Sequence, residues 1–330
     1  MKLKDTEVLV TGAGGFIGSH LVARLAELGA RVRAMVRYTS RGDPGNLRFL
    51  TPAQAAQVEI VHGNVEDPEG VDRAVAGRAC VFHLAALIGI PYSYEAPRSY
   101  VATNVLGTLN VLEAVRRHGV GRLVHTSTSE VYGTALYAPI DEDHPLQGQS
   151  PYSASKIAAD KLVESYVRSF DVPAVILRPF NTFGPRQSAR AVIPAMITQL
   201  LAGRDILELG SLEPRRDFTF VEDTAEGFVA AATHDAALGQ TVQLGYGESI
   251  RVGDLAEALC AQIRPSARVV SVAERTRPEK SEVMNLLSCN DRARDLLGWS
   301  PTVSLSEGLR RTIDFVRAHP ELYPTTAYTV

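Results

Sequence analysis

A doubly wound parallel α/β sheet is the fold this 330-residue chain predicts, and three observations predict it. Short apolar runs alternate with amphipathic helical segments through the first half, the pattern of a parallel sheet covered by helices on both faces. The first run, Val8-Leu9-Val10-Thr11, passes directly into Gly12-Ala13-Gly14-Gly15-Phe16-Ile17-Gly18 and then into a helical stretch. After Pro179 the alternation breaks, so a smaller C-terminal unit is expected to follow and to interleave with the first.

Strands are predicted over Glu7 to Thr11, Arg31 to Val36, Val58 to His62, Ala79 to Leu84, Leu123 to Thr126 and Ala174 to Arg178, each a short apolar run. Thr241 to Leu244 is predicted to return to the same sheet. Helices are predicted over Ile17 to Leu28, Gly70 to Ala76, Ser99 to Arg117 and Ser153 to Phe170, where apolar residues recur at helical spacing. Phe180 to Arg190 reads as loop, Ile193 to Ala202 as helix, and the stretch through Pro214 as turn-rich. Further helices are expected near Val252 to Ile263, Asp291 to Leu297 and Ser306 to Ala318. The expected division is 1–178 with about 220–248 for a dinucleotide-binding unit, and 179–219 with 249–330 for a substrate-binding unit.

Composition narrows the function classes. The chain is 45% hydrophobic and 22% charged with a formal net charge of -3, ordinary for a globular protein. Phosphate-backbone binding needs a concentrated basic surface, and Arg215-Arg216 or Arg310-Arg311 is too short to supply one, so no nucleic-acid partner is expected. Cys80, Cys260 and Cys289 are odd in number and far apart, and read as reduced thiols of a cytosolic protein with no disulfide frame or zinc site. Ala79 to Tyr94, one of the longest uncharged runs, is too short and polar to span a bilayer. A cytoplasmic location and no membrane partner are therefore expected, and no His/Asp/Glu spacing suggests a metal.

The glycine run stands where strand passes to helix. Gly12 suits the tight turn, Gly15 the approach of a pyrophosphate and Gly18 close packing, while the helix start at Phe16 and Ile17 offers amides and a favourable dipole. Read alone the run is a tight turn; after a strand it predicts a dinucleotide site. NAD sites commonly end the second strand with an acid that bonds the ribose hydroxyls. Here that position is Arg37, followed by Ser40 and Arg41, and guanidinium groups with a hydroxyl suit a ribose phosphate. NADP is thus the expected cofactor, with NAD the alternative if Arg37 stacks on adenine or is simply solvated. Asn64 and Val65 are expected to flank the adenine, and Ala85 and Ala86 to let the cofactor pass.

Tyr152 and Lys156 stand four residues apart on one predicted helical face, so an ammonium could favour the ionised phenol and make Tyr152 a base. Thr128, Ser129 and Glu130 follow a predicted strand end and could be presented there. Two acid/base groups of different character allow more than alcohol oxidation. The bland readings are an exposed helix face for Tyr152 and Lys156, a surface or capping acid for Glu130, and a core role for Tyr132, His83 and His125. Ser127 and Ser129 lack a nucleophile elbow, which argues against a hydrolase.

Taken together, Thr11 to Gly18, Asn64-Val65, His83 to Ala86, Asn104, Thr128 to Gly133, Tyr152 to Lys156, Arg178 to Asn181, Arg216 to Phe218 and Leu297 to Pro301 resemble the extended short-chain dehydrogenase/reductase superfamily of the nucleotide-sugar epimerases and dehydratases. Ile90 to Tyr94 and Gln187 to Pro194 resemble the 4,6-dehydratases of legionaminic-acid-type pathways. The resemblance implies a Rossmann sheet, a nucleotide-diphosphate sugar substrate built on N-acetylglucosamine, and a cofactor tightly bound and recycled. Asn104, Tyr152 and Lys156 would then contact that cofactor. The implied reaction moves hydride from sugar C4 to the nicotinamide, with Tyr152 taking the hydroxyl proton and Thr128 bonding the same oxygen. Glu130 would take the C5 proton, and Ser129 or protonated Glu130 would assist loss of the C6 hydroxyl. Arg178, Asn181, Arg186, Arg190, Arg216 and Arg277 are candidates for the diphosphate. Two family departures stand out: Arg37 replaces the expected acid, and Asn64 stands where many relatives carry Asp. Competing readings are a 4-epimerase, which needs no base at C5, a decarboxylase of a nucleotide-linked uronic acid, and a non-catalytic binding module. A homodimer is expected, with the helices around Ser99 to Arg117 and Ser153 to Phe170 pairing as a four-helix bundle.

Overall fold

The computed structural model describes residues 1–272 and 283–324 of the chain. Its strands are β1 (Glu7–Thr11), β2 (Arg31–Arg37), β3 (Val58–Gly63), β4 (Cys80–His83), β5 (Arg122–Thr126), β6 (Ala174–Pro179), β7 (Asn181–Phe183), β8 (Ile206–Leu209), β9 (Arg215–Phe220), β10 (Thr241–Leu244), β11 (Ser249–Arg251) and β12 (Arg268–Ser271). Seven of them form one sheet in the order β10-β6-β5-β4-β1-β2-β3, with every neighbouring pair parallel. The chain winds outward in both directions from β1 and β4. In sheets of this kind ligands bind outside the carboxyl ends of the strands at that reversal, and it is there that Gly12 and Ala85 meet.

Alternation along each strand feeds two cores. Val8 and Val10 turn to one face with Leu21, Leu25, Phe82, Val124 and Phe228. Leu9 turns to the other with Val81, Val111, Leu123, Val163 and Ile176. The smaller unit has a core of its own around Ile193, Leu207, Phe220, Leu255 and Leu309. Its strands form a three-stranded sheet, β11-β9-β7, and the pair β12-β8.

Several elements differ from the sequence expectation. The predicted helix Ser99 to Arg117 is split into Pro97–Tyr100, a wide π turn at Val101–Leu106, and Gly107–His118. Strands β7, β8, β9, β11 and β12 and the helix Val221–Thr233 were not foreseen. Of these strands, β7 and β11 have three residues each, too short for a clear period. In β9 the run Arg215-Arg216-Asp217 reads as solvated, yet Asp217 is buried and satisfied. Its carboxylate accepts from the backbone of Tyr246 at 2.6 Å and Gly247 at 3.0 Å, and from the Ser288 hydroxyl at 2.6 Å. The helix Asp291–Leu297, assigned to the smaller unit, packs instead on the large sheet: Ala293, Leu297 and Trp299 join its core, and the Trp299 indole donates to the Asp223 carbonyl at 2.9 Å. Among the described residues no helix is long and apolar enough to cross a membrane.

Candidate active site

The glycine turn is shaped by what lies against it. Gly12 has φ +68°, and a Cβ there would fall 2.7 Å from the Ala85 backbone nitrogen; one on Gly18 would fall 2.3 Å from the Gly12 carbonyl oxygen. A side chain at Gly12 would force the β1 and β4 loops apart, and one at Gly18 would push the helix off the glycine turn. The helix Phe16–Glu27 begins at Gly15 with no side-chain cap, so its first amides point outward without internal partners. This open amide end, beside a backbone that tolerates no bulk, fits a dinucleotide pyrophosphate. The side chains of Phe16 and Ile17 pack toward the smaller unit's core, leaving their amides as the groups that would hold the anion. Behind the turn, Thr11 Oγ1 lies 2.8 Å from His83 Nδ1 and accepts from the Leu84 and Ala85 amides at 3.1 Å.

Tyr152 and Lys156 lie on the helix Pro151–Phe170, whose start is fixed by a capping box between Ser150 and Ser153 with proline in the first turn. Both are buried, at 7% and 4% exposure, which removes the exposed-face reading. Lys156 Nζ donates to the Thr126 carbonyl at 2.7 Å, and burial pushes its ammonium down to about 8 while Asp160 opposes the shift. Burial holds the Tyr152 phenol well above its ordinary value; a hydrogen bond with Thr128 lowers it and the charge of Glu130 raises it. Burial, not the charge of Lys156, is the largest influence on the phenol.

Thr128, Ser129 and Glu130 enter through a short 3₁₀ turn, Ser129–Tyr132, which Thr128 caps by accepting the Glu130 amide at 3.2 Å. The strand end, the cap and the turn together place a half-buried carboxylate within electrostatic reach of Tyr152. Ser129 is buried.

Beneath these groups lies a polar cluster that the sequence reading missed. Asp160 accepts from the Ser127 hydroxyl at 2.8 Å and from Arg178 at 3.0 and 3.2 Å, and lies 3.5 Å from His125 Nε2. Arg178 also donates to the Tyr132 hydroxyl at 3.1 Å. Arg178 is thus taken up inside the protein and does not reach a phosphate, a correction to its reading as a diphosphate ligand. Burial pushes His125 down to about 4 and His83 well below its ordinary value. Asp160 stands four residues beyond Lys156, one turn along the same face, and that spacing was the available signal.

The remaining cofactor candidates spread around the crevice. Arg37 ends β2 exposed, and Ser40, Arg41 and Asn64 are exposed in the loops after β2 and β3. Val65 is buried against the helix carrying Asn110, whose side chain donates to its carbonyl at 2.9 Å. Ala85 and Ala86 are half-buried behind Gly12. Asn104 accepts from the Leu87 amide at 2.8 Å and donates to the Leu87 carbonyl and Ser155 Oγ at 2.9 Å. Its amide thereby ties the loop after β4 to the helix of Tyr152.

Of the substrate candidates, Asn181 and Arg216 come together on the adjacent strands β7 and β9, where Asn181 pairs with Phe218. The Asn181 Oδ1 atom is buried with no hydrogen-bond partner. Arg216 is 8% exposed. Arg186 goes elsewhere: it lies over the Phe49 ring at 5.5 Å and reaches Ser19 Oγ at 3.4 Å, joining the two units. Arg190 is exposed, and Arg277 falls outside the described residues.

A family model described as GDP-mannose 4,6 dehydratase matches residues 9–312. The chain belongs to that family. Its members include enzymes with two outcomes at the sugar. The chain is 33% identical over 314 residues to the UDP-glucose 4-epimerase of Mycolicibacterium smegmatis, covering 94% of this chain and 98% of that one. It is 35% identical over 318 residues to the dTDP-glucose 4,6-dehydratase of Streptomyces antibioticus, covering 94% and 92%. Among solved structures, the dTDP-glucose 4,6-dehydratase of Streptomyces venezuelae with NAD and TYD bound superposes with a TM-score of 0.86 at 30% identity, covering 97% and 99%. The extended short-chain dehydrogenase/reductase resemblance and the Rossmann-type sheet therefore hold, and the chain is an enzyme of the nucleotide-sugar epimerase and dehydratase family.

Proposed function

We propose that this family member is a 4,6-dehydratase that converts a nucleotide-linked N-acetylglucosamine to the 4-keto-6-deoxy sugar. The observation that carries the reading is Glu130, whose backbone the Thr128 cap fixes and whose half-buried carboxylate lies within electrostatic reach of the Tyr152 phenol. Removing a C4 hydroxyl proton needs one base. A second base is required only when the C5 proton must also leave. Epimerase and dehydratase relatives are matched at similar identity, so the choice rests on this second base. The N-acetylglucosamine assignment rests on the segments 90–94 and 187–194.

A bound nicotinamide supplies the acceptor, and later the donor, of a hydride. The protein's part is proton handling and orientation. Tyr152 takes the C4 hydroxyl proton, with Thr128 bonding the same oxygen and Lys156 stabilising the phenolate. Once C4 is a ketone the C5 proton is acidic, and Glu130 takes it. Protonated Glu130, or Ser129, then donates to the departing C6 hydroxyl. Asn181 and Arg216 are proposed to hold the nucleotide diphosphate, with Arg190 and Arg277 as further candidates. The cofactor is proposed to be NADP, held tightly and recycled, because Arg37 stands where a ribose-binding acid is expected.

The enzyme is further proposed to be a cytoplasmic homodimer. Val101 and Leu106 on one helical run and Phe170 on the other are about half exposed, at 50%, 51% and 48%, as a helix-pairing face requires. Light scattering at micromolar concentration should give twice the chain mass, and a monomer would end that proposal.

The function is tested by incubating the full chain with UDP-, GDP-, CDP- and dTDP-linked hexoses, N-acetylhexosamines and hexuronic acids and weighing the products. Loss of one water is expected from one nucleotide series. An unchanged mass with inverted C4 would identify an epimerase, and loss of carbon dioxide from the uronic acid a decarboxylase.

A further inference from the structure

A cavity of about 330 Å³ opens beside the ends of β2 and β3, and two guanidinium groups line it, Arg37 and Arg98. Arg37 ends β2, where dinucleotide folds meet the adenosine ribose. Arg98 comes from a different place, the short helix Pro97–Tyr100 just before the π turn. The loop after β4 contributes Leu87, and Tyr92 supplies an exposed ring, surfaces suited to a purine.

The charges in this cavity are unevenly satisfied. Glu66 lines it too, and its carboxylate accepts from the Thr103 hydroxyl at 2.5 Å. Among the described residues neither Arg37 nor Arg98 has a carboxylate within ion-pair distance, whereas Arg33, on the same strand as Arg37, is paired with Glu59 at 2.8 Å. The two guanidinium groups outnumber the one carboxylate in the lining, Glu66, so the cavity carries a net positive charge that favours a bound anion. A phosphate monoester carries the charge and the acceptor oxygens that planar guanidinium donors match.

We infer that Arg98 acts with Arg37 as a two-sided clamp on the 2′-phosphate of the cofactor adenosine, so that cofactor choice is set from two separate elements. The inference rests on the NADP reading above and adds to it a residue outside the β2 end. Because Arg98 is exposed and unpaired, its replacement leaves the surrounding packing intact.

Calorimetric titration of the full chain with 2′,5′-ADP and with 5′-AMP tests it without relying on turnover. The wild-type chain should bind 2′,5′-ADP more tightly. Arg98→Gln should weaken 2′,5′-ADP by about tenfold or more, the loss of one charge-assisted contact, and leave 5′-AMP unchanged; Arg37→Gln should do the same. If the wild type discriminates and only Arg37→Gln removes the preference, the part given to Arg98 is overturned while the NADP reading stands. Equal weakening of both probes by Arg98→Gln would also overturn it, since the contact would not be with the extra phosphate. Equal wild-type affinity for the two probes would overturn the NADP reading and the clamp together.

Discussion

Glu130→Gln should stop the reaction halfway. The amide keeps the size and hydrogen-bonding reach of the side chain but cannot accept the C5 proton. Thr128, Tyr152 and Lys156 are untouched, and the Thr128 cap uses the Glu130 backbone, so the turn should persist. The 4-keto hexose should form while water loss falls by about 100- to 10,000-fold, the usual contribution of a positioned general base. Reduced nicotinamide absorbance should then accumulate, where the full cycle would erase it. A second effect follows from charge. The Glu130 carboxylate raises the Tyr152 pKa, so neutralising it must ease ionisation of the phenol and move the rising limb of C4 oxidation to lower pH. Normal formation of a dehydrated product by this variant would remove Glu130 from the account.

Tyr152→Phe should instead abolish the reaction at its start. Phenylalanine fills the same buried space and leaves the helix cap at Ser150 alone, so circular dichroism and cofactor binding should be retained. What disappears is the group that accepts the C4 hydroxyl proton, and oxidation should fall by about 100- to 10,000-fold. No reduced nicotinamide should accumulate, in contrast to Glu130→Gln. Substantial C4 oxidation in the phenylalanine variant would mean that another base, with Lys156 and Glu130 the candidates, takes the proton.

The large sheet was legible in the sequence because its central strands, β1, β4, β5 and β6, are buried almost throughout and read as apolar runs. The glycine turn was legible because backbone crowding leaves few residue types possible: at Gly12 the Ala85 backbone leaves no space for a Cβ. The smaller unit was less so. Its strands β7 and β11 have three residues each, below what a two-residue period can mark, and β9 buries Asp217 by pairing it with groups distant in sequence. Long-range pairing also hid the role of Arg178. A guanidinium in a family motif suggested phosphate, but whether it faces a ligand depends on Asp160 and Tyr132, which only the fold brings to it. The Asn104 amide's hold on Leu87, in the loop after β4, was hidden for the same reason, since the two are seventeen residues apart in sequence.

The most direct test of the central claim, that this enzyme removes the C5 proton, is turnover in deuterated water followed by mass and proton spectra of the product. Elimination through Glu130 requires C5 to lose its hydrogen and regain one from an exchangeable carboxyl, so the dehydrated product should carry one solvent deuterium at C5. A product formed at full turnover with inverted C4, unchanged composition and no deuterium at C5 would contradict the account and identify the chemistry as epimerisation.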